Sequence, residues 1–281
     1  MAQRTLLEDL EIIDIADKGR CVGKQGEVVV FTEGAVPGDV VDAEVIKQYH
    51  SYIEAKLIRI KNLSPNRTEP FCQHFGVCGG CKWQNLKYES QLFYKEKQVR
   101  DAMTRIARLE NPVILPIQGS ASIQHYRNKL DFSFTNKRFL LKEEMHHEGE
   151  KEMDGIGFHV PGKFNKVLDV HTCHLQDPIS DRIRNFVRDI TKNKVPYYDL
   201  RKHTGMMRGL IVRNTAMGEW MAIVMFREQN HEVIEMVMSA VKKEFPFLTS
   251  LQYIVNSKKN DTITDQQVHL YHGRAYIIEG M

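Results

Sequence analysis

Long apolar runs are missing from this chain. No stretch of its 281 residues approaches the roughly 20 consecutive apolar residues of a membrane-spanning helix, so no membrane partner is expected. The first residues, Met1-Ala2-Gln3-Arg4-Thr5-Leu6-Leu7-Glu8, lack the apolar core of a secretory signal. Charge excess is small. The 39 Lys and Arg stand against 36 Asp and Glu, and the resulting +3 permits a polyanionic partner without demanding one. There is no internal repeat and no low-complexity tract, which argues against a solenoid and against long disorder. A Gly-rich strand–turn–helix able to hold a nucleoside cofactor is also lacking. Cysteine is scarce, at five residues, and scarcity makes placement informative. Clustered thiols without an export signal point to a reducing, cytoplasmic setting.

Three of the five cysteines fall within Cys72-Gln73-His74-Phe75-Gly76-Val77-Cys78-Gly79-Gly80-Cys81, a C-x5-C-x2-C pattern. Gly79 and Gly80 let the backbone turn tightly around a metal and aim its amides at sulfur. A fourth ligand must come from elsewhere, and Cys173 in His171-Thr172-Cys173-His174-Leu175 is the candidate. His74, His171 and His174 are alternatives. Ordinary buried thiols are the competing explanation, and a disulfide is another, although three clustered cysteines pair badly. Structural zinc usually takes two paired knuckles. One run of three with a distant fourth suits a [4Fe-4S] cluster better, and zinc stays open on this ground alone.

Read in order, residues 6 to about 60 alternate as short β-rich runs with Gly and Pro punctuation, which predicts a small barrel. Lys47, Tyr49, His50, Tyr52, Lys56, Arg59 and Lys61 lie on or between these runs. Such a face suits single-stranded nucleic acid, through backbone charge and base stacking, and a plain solvated surface is the alternative. Cys21 sits here without a partner and is read as a strand or turn residue. Asn62 to Pro70 reads as a linker. A helix is predicted over about Glu89 to Leu109, with Leu92, Val99, Met103, Ile106 and Leu109 near helical spacing, a stripe more in keeping with core than with docking. Beyond residue 119 strands are expected at 130–134, 155–160, 166–170, 209–213, 220–226 and 251–256, with closing runs at 267–271 and 275–278. Helices are expected near 179–193 and after an Asn230 cap. Arg138 to Asp154 reads as a charged loop. The fold class is α+β: a small N-terminal β-barrel, then a mixed antiparallel α/β domain with both helices on one face. The expected domains are 1–64 (barrel), 65–118 (cysteine loop and long helix) and 119–281.

Taken together these motifs resemble the N-terminal part of bacterial RNA uracil-C5 methyltransferases, the group acting on large-subunit (23S) ribosomal RNA and its transfer-RNA relatives. Residues 6–60 look like the OB-like TRAM barrel of that family. The C-x5-C-x2-C run with Cys173 looks like its four-cysteine [4Fe-4S] site. Tyr126-Arg127-Asn128-Lys129 is similar to its Y-R-N-K signature. Gly157-Phe158-His159, Cys173-His174-Leu175, His203-Thr204-Gly205, Gly218-Glu219 and the stretch from Asn260 to Gly273 follow the family order. The family usually places proline after the fourth cysteine, where this chain has His174.

The resemblance implies Cys72, Cys78, Cys81 and Cys173 as cluster ligands and RNA as partner, with ribosomal RNA favoured over transfer RNA. Lys56, Arg59, Trp83, Arg127, Asn128 and Lys129 are the candidate RNA contacts, and His203 and Arg208 are weaker ones. In this chemistry a cysteine thiolate adds to C6 of uracil, C5 takes the methyl group of S-adenosylmethionine, and a base removes the C5 proton. Four cysteines are claimed by the cluster and Cys21 by the barrel. The family's methyl-donor domain, nucleophile and base lie C-terminal to Met281, so the expectation is an enzyme by family whose catalytic domain is absent here. Two further expectations follow. The 89–109 stripe would be partly unpaired, favouring self-association or a separately encoded catalytic partner. Alternatively, the chain would be a stand-alone RNA-binding or assembly module with a structural zinc or iron–sulfur site.

Overall fold

Alternation along the first strands decides the first architecture. The computed structural model describes residues 5–146, 149 and 151–280. Strands β1 (Leu6–Ile15), β2 (Cys21–Gln25), β3 (Val28–Thr32), β4 (Val40–Gln48) and β5 (Tyr52–Asn62) close into a barrel in the order β1-β2-β3-β5-β4. Inward residues Leu7, Leu10, Ile12, Cys21, Val30, Val41, Ala43, Ile53 and Ala55 form its core. Closure leaves no unpaired edge. β3 and β5 run parallel and the other neighbours antiparallel.

The stretch after β5 is pinned. The buried Asp39 carboxylate accepts the amides of Val36 (2.7 Å) and Ser64 (2.9 Å) and pairs with Arg67 Nη2 at 2.7 Å. The linker composition thus conceals a segment tied to the barrel by a buried ion pair.

Helix α1 (Tyr88–Asp101) follows, continued by a wider π-type turn over Ala102–Ile106. The structure corrects the expectation of a core-facing stripe. α1 has no buried residue, and Val99, Met103, Ile106 and Leu109 are exposed, Ile106 by 82%. The helix meets the barrel by another face. Lys97 Nζ pairs with Asp14 at 2.6 Å, Gln98 Nε2 donates to the carbonyls of Ile15 and Ala16, and Tyr94 packs with Trp83 on Ile15, Val36 and Leu86.

The second architecture is a seven-stranded sheet in the order β12-β11-β10-β9-β6-β7-β8. Its strands are β6 (Lys129–Thr135), β7 (Gly155–Val160), β8 (Lys163–Asp169), β9 (Met207–Asn214), β10 (Trp220–Phe226), β11 (Ser250–Val255) and β12 (Val268–Gly273). The run at 275–278 is not a strand; Glu219 holds it by accepting the Ile278 amide at 2.7 Å. A one-turn helix α2 (Lys142–Met145) interrupts the expected 138–154 loop, of which residues 147, 148 and 150 lie outside the described residues. Helices α3 (Pro178–Thr191) and α4 (His231–Glu244) meet each other, with Phe186 edge-on to Phe245 at 5.3 Å. The sheet departs from an all-antiparallel reading at one pair. β10 and β11 are parallel, because α4 carries the chain back to the start of the sheet before β11 begins. The class is α+β.

The chain divides into two compact units. One comprises residues up to Gly76 with Cys81–Ala121, and the other Val77–Gly80 with Ser122 onward.

Candidate functional site

The β7–β8 hairpin turns at Pro161-Gly162, where Gly162 has φ +71°, and delivers the chain to the Cys173 loop. Cys173 is 9% exposed, and its N–H donates to both Asp181 oxygens, at 3.0 and 3.1 Å. Asp181 projects from the first turn of α3 and pairs with Arg184 Nη1 at 2.7 Å. Burial pulls the Arg184 guanidinium below its ordinary range, with Asp181 opposing that pull. His171 is also pulled down, first by burial and then by the Arg188 charge.

Cys72, Cys78 and Cys81 are half-buried, and none of the five cysteines is in a disulfide. The Cys72 amide donates to Gln84 Oε1 at 3.2 Å, and its carbonyl accepts Phe75 N–H at 3.0 Å, which turns the backbone back on itself. Gly80 N–H donates to Cys78 Sγ at 3.4 Å, the amide-to-sulfur contact that the Gly-Gly spacing anticipates. A Cβ on Gly79 would stand 2.8 Å from the His159 carbonyl, so that position admits only glycine without rearrangement. Cys72 and Cys81 belong to the first unit and Cys78 and Cys173 to the second. Among the described residues, no three His, Cys, Asp or Glu side chains are gathered as a group able to hold a metal ion.

The Tyr126-Arg127-Asn128-Lys129 segment runs beside the Cys173 loop. His125 N–H donates to the His174 carbonyl at 2.9 Å and Arg127 N–H to the Leu175 carbonyl at 2.8 Å. Nothing in the sequence pairs these stretches, which are nearly fifty positions apart. Arg127 is exposed with Nε on the Lys129 carbonyl, Asn128 is exposed, and Lys129 Nζ pairs with Asp131 at 2.9 Å. Across the β6–β9 ladder, Lys129 lies directly opposite Arg213, which is also exposed. Arg213 was not visible as a candidate from sequence, since only strand register brings it there.

On the barrel, Lys56 is exposed on β5. Arg59 is exposed as well, but its Nε is bound to the buried Asp42 at 2.6 Å, and Lys61 is shared between Asp9 and Asp42. Burial works to raise the Asp42 pKa, yet the hydrogen bonds from Arg59, the Asp9 amide and Lys61 hold it below its ordinary value. A second aromatic–basic face stands elsewhere. Tyr49 and Tyr52 stack at 4.4 Å, Phe31 meets Tyr52 edge-on at 5.5 Å, and Arg20 and Lys47 cap the row over Phe31 and Tyr49. Trp83 is half-buried, packs on the Ile15–Val36–Leu86 cluster and has Lys95 Nζ 5.8 Å over its ring.

Arg208 has no side-chain capacity left for RNA. It is buried, lies 4.6 Å over the Tyr198 ring, and donates to the carbonyls of Asn256, Lys258 and Asn260 and to the Asp261 carboxylate. It is a clamp on the loop after β11. His203 Nδ1 is 2.9 Å from the Tyr198 hydroxyl.

No protein-family model matches the chain. Curated relatives do. A Porphyromonas gingivalis protein named an uncharacterized RNA methyltransferase is 44% identical over 279 residues, covering 97% of this chain and 60% of its own length. The chain is a relative of proteins named RNA methyltransferases. A Bacteroides thetaiotaomicron protein of the same name is also 44% identical, over 95% of this chain and 60% of its own length. One from Chlorobaculum tepidum is 34% identical over 96% of the chain and 58% of its own length. The chain thus spans about three fifths of the length of the curated relatives it matches. Among solved structures, Pyrococcus abyssi tRNA (uracil-54, C5)-methyltransferase in complex with S-adenosyl-L-homocysteine superposes with a TM-score of 0.65 at 22% identity. The match covers 96% of this chain and 57% of that one, a likeness of fold. No helix among the described residues is long and apolar enough to cross a membrane.

Proposed function

We propose that these residues form the RNA-recognition and iron–sulfur portion of an S-adenosylmethionine-dependent RNA uracil-C5 methyltransferase, with ribosomal RNA favoured over transfer RNA as substrate. Support comes chiefly from one observation: similarity to proteins named RNA methyltransferases runs through 97% of the chain. In this reading the closed barrel is an OB-like TRAM unit that grips RNA. Cys72, Cys78, Cys81 and Cys173 hold a [4Fe-4S] cluster that ties the Cys72–Cys81 run to the Cys173 loop and makes no bond to substrate. Arg127, Asn128 and Lys129, with Arg213 opposite, offer positive charge and hydrogen-bond donors to the phosphate backbone.

S-adenosylmethionine would supply the methyl group, and the 281 residues by themselves are proposed not to transfer it. Attack on C6 of uracil needs a thiolate. Cys21, the one cysteine outside the proposed ligand set, is buried with its thiol pushed up to about 12, and it donates to the Ala35 carbonyl. Such a group stays protonated at neutral pH and cannot serve as that nucleophile. The exposed apolar residues Val99, Met103, Ile106 and Leu109 suit a partner, either a catalytic domain or a second copy.

Anaerobic preparation with iron and sulfide quantified in wild type and Cys173→Ser tests the metal reading. The expected result is a brown wild type absorbing near ~400 nm and a variant depleted of both elements. A colourless, zinc-bearing wild type overturns it. Methyl incorporation into uracil by these residues alone would overturn the division of labour.

A further inference from the structure

The segment Asp199-Leu200-Arg201-Lys202-His203-Thr204-Gly205 leads into β9 as a closed turn. Asp199 N–H donates to the Thr204 carbonyl and His203 N–H to the Asp199 carbonyl, both at 2.8 Å. Gly205 has φ +98°, and a Cβ there would stand 2.2 Å from the Tyr197 carbonyl. Arg227 Nε holds the His203 carbonyl at 3.0 Å.

Asp199 is the one carboxylate of this turn, and it is 2% exposed. Its Oδ1 accepts the amides of Arg201 (2.9 Å) and Lys202 (3.1 Å), and its Oδ2 pairs with Lys137 Nζ at 2.7 Å. The acid therefore shapes the backbone and neutralises neither side chain that follows it. Arg201 and Lys202 are exposed, and neither makes an ion pair among the described residues. His203 is tied at Nδ1 to the Tyr198 hydroxyl, and its Nε2 has no partner among the described residues. Other arginines of this unit are engaged: Arg138 with Glu144, Arg184 with Asp181, Arg188 with Asp169 and Arg208 with Asp261.

An aromatic ring stands beside the turn. Phe164, on the edge strand β8, is 67% exposed, and the Arg201 guanidinium lies 5.6 Å over its ring. A phenylalanine left in water contributes little to folding, because burial is what stabilises such a side chain. Positive charge next to an accessible ring suits single-stranded nucleic acid. Phosphate oxygens accept from the cations, and unstacked bases settle on aromatic and guanidinium planes. Bases within a duplex are already stacked and gain nothing from the ring. The turn, β8 and β9 all lie in the second unit. From Met207, just after the turn, to Arg213 the strand advances roughly 20 Å, so this surface is separate from the Lys129–Arg213 edge.

We propose that Arg201, Lys202 and His203, with Phe164, form a further RNA-binding surface, which takes phosphates of a single-stranded segment on the turn and an unstacked base on the ring. This rests on RNA as the partner in the reading above.

The test uses the full chain and fluorescence anisotropy, with a labelled single-stranded RNA and an RNA duplex of equal length, across a salt series. Arg201→Gln with Lys202→Gln is expected to lower the slope of log affinity against log salt on the single strand by about 1.4, at an unchanged unfolding midpoint. Arg201→Lys with Lys202→Arg keeps both charges and is expected to keep the slope. Phe164→Ala is expected to weaken single-strand binding about tenfold, to leave the slope alone, and to leave duplex binding unchanged. A wild type that binds beside a glutamine variant of equal slope overturns the inference alone, and leaves the turn to an acidic protein partner or to solvent. Phe164→Ala acting equally on strand and duplex, or on neither, overturns the single-strand assignment. A wild type that binds neither RNA overturns the RNA reading and the inference with it.

Discussion

Single side chains in this protein are governed by what surrounds them rather than by their type. Cys21 is one case. Folding favours its protonated form, because burial moves the thiol from an ordinary 9.0 to about 12. That contribution is complete below about pH 9 and is lost as pH rises from there toward about 12. The stability difference between wild type and Cys21→Ala, read from urea unfolding, should therefore shrink across that window. At about pH 8 iodoacetamide should leave Cys21 unmodified in the native barrel and label it in denaturant. Asp39 is a second case. It serves two amides and the Arg67 guanidinium from a position with no exposed area. Asp39→Ala strands that arginine and should cost about 3 kcal/mol, read as a lowered urea midpoint at unchanged slope. Neither environment was legible beforehand, because the partners of Asp39 and of Cys21 lie at a distance along the chain. The reading of Cys21 as a strand or turn residue left both open, and the structure places it first in β2 with its side chain in the barrel core.

At the scale of elements, local signals carried most of the structure. Asn230 caps α4 as its residue type suggests, its Oδ1 accepting Val233 N–H at 3.1 Å. Asn230→Ala should cost about 1 kcal/mol in thermal or urea unfolding. Gly157 shows the opposite. A Cβ there would stand 2.2 Å from the Leu168 carbonyl, a clash with backbone across the β7–β8 ladder. Gly157→Ala should destabilise by about 2 kcal/mol or more, and amide exchange should report the loss in the hairpin ahead of β9 and β10. Helix α1 exposes the limit of periodicity. Its existence followed from the pattern, but its docked face did not. Lys97 and Gln98 find a strand-end carboxylate and carbonyls on the barrel, and the apolar stripe faces outward instead.

For the molecule as a whole, the charges split into those already engaged and those available to a polyanion. Arg59 is held by Asp42, whereas Arg213 stands exposed opposite Lys129. Each phosphate contact on a single strand contributes about 0.7 to the slope of log affinity against log salt. Replacing both Lys129 and Arg213 by Gln should lower that slope by about 1.4 and weaken binding alike for unrelated sequences. Arg59→Gln should change it little. Fluorescence anisotropy with two unrelated single-stranded RNAs, across a salt series, distinguishes these outcomes. Equal slopes in all three proteins would remove the Lys129–Arg213 edge from the RNA interface.

The amino-acid sequence by itself determined most of the elements and the α+β class, because alternation, helical spacing and capping are local properties of a few neighbouring residues. Spacing also singled out the run of Cys72, Cys78 and Cys81, because close recurrence within ten residues can be read directly. Only the tertiary structure decided which face of α1 docks, that β10 and β11 run parallel, that Arg208 is a loop clamp, and that Asp181 grips Cys173. Those outcomes depend on partners distant along the chain, where register and burial choose among residues that the sequence leaves equivalent.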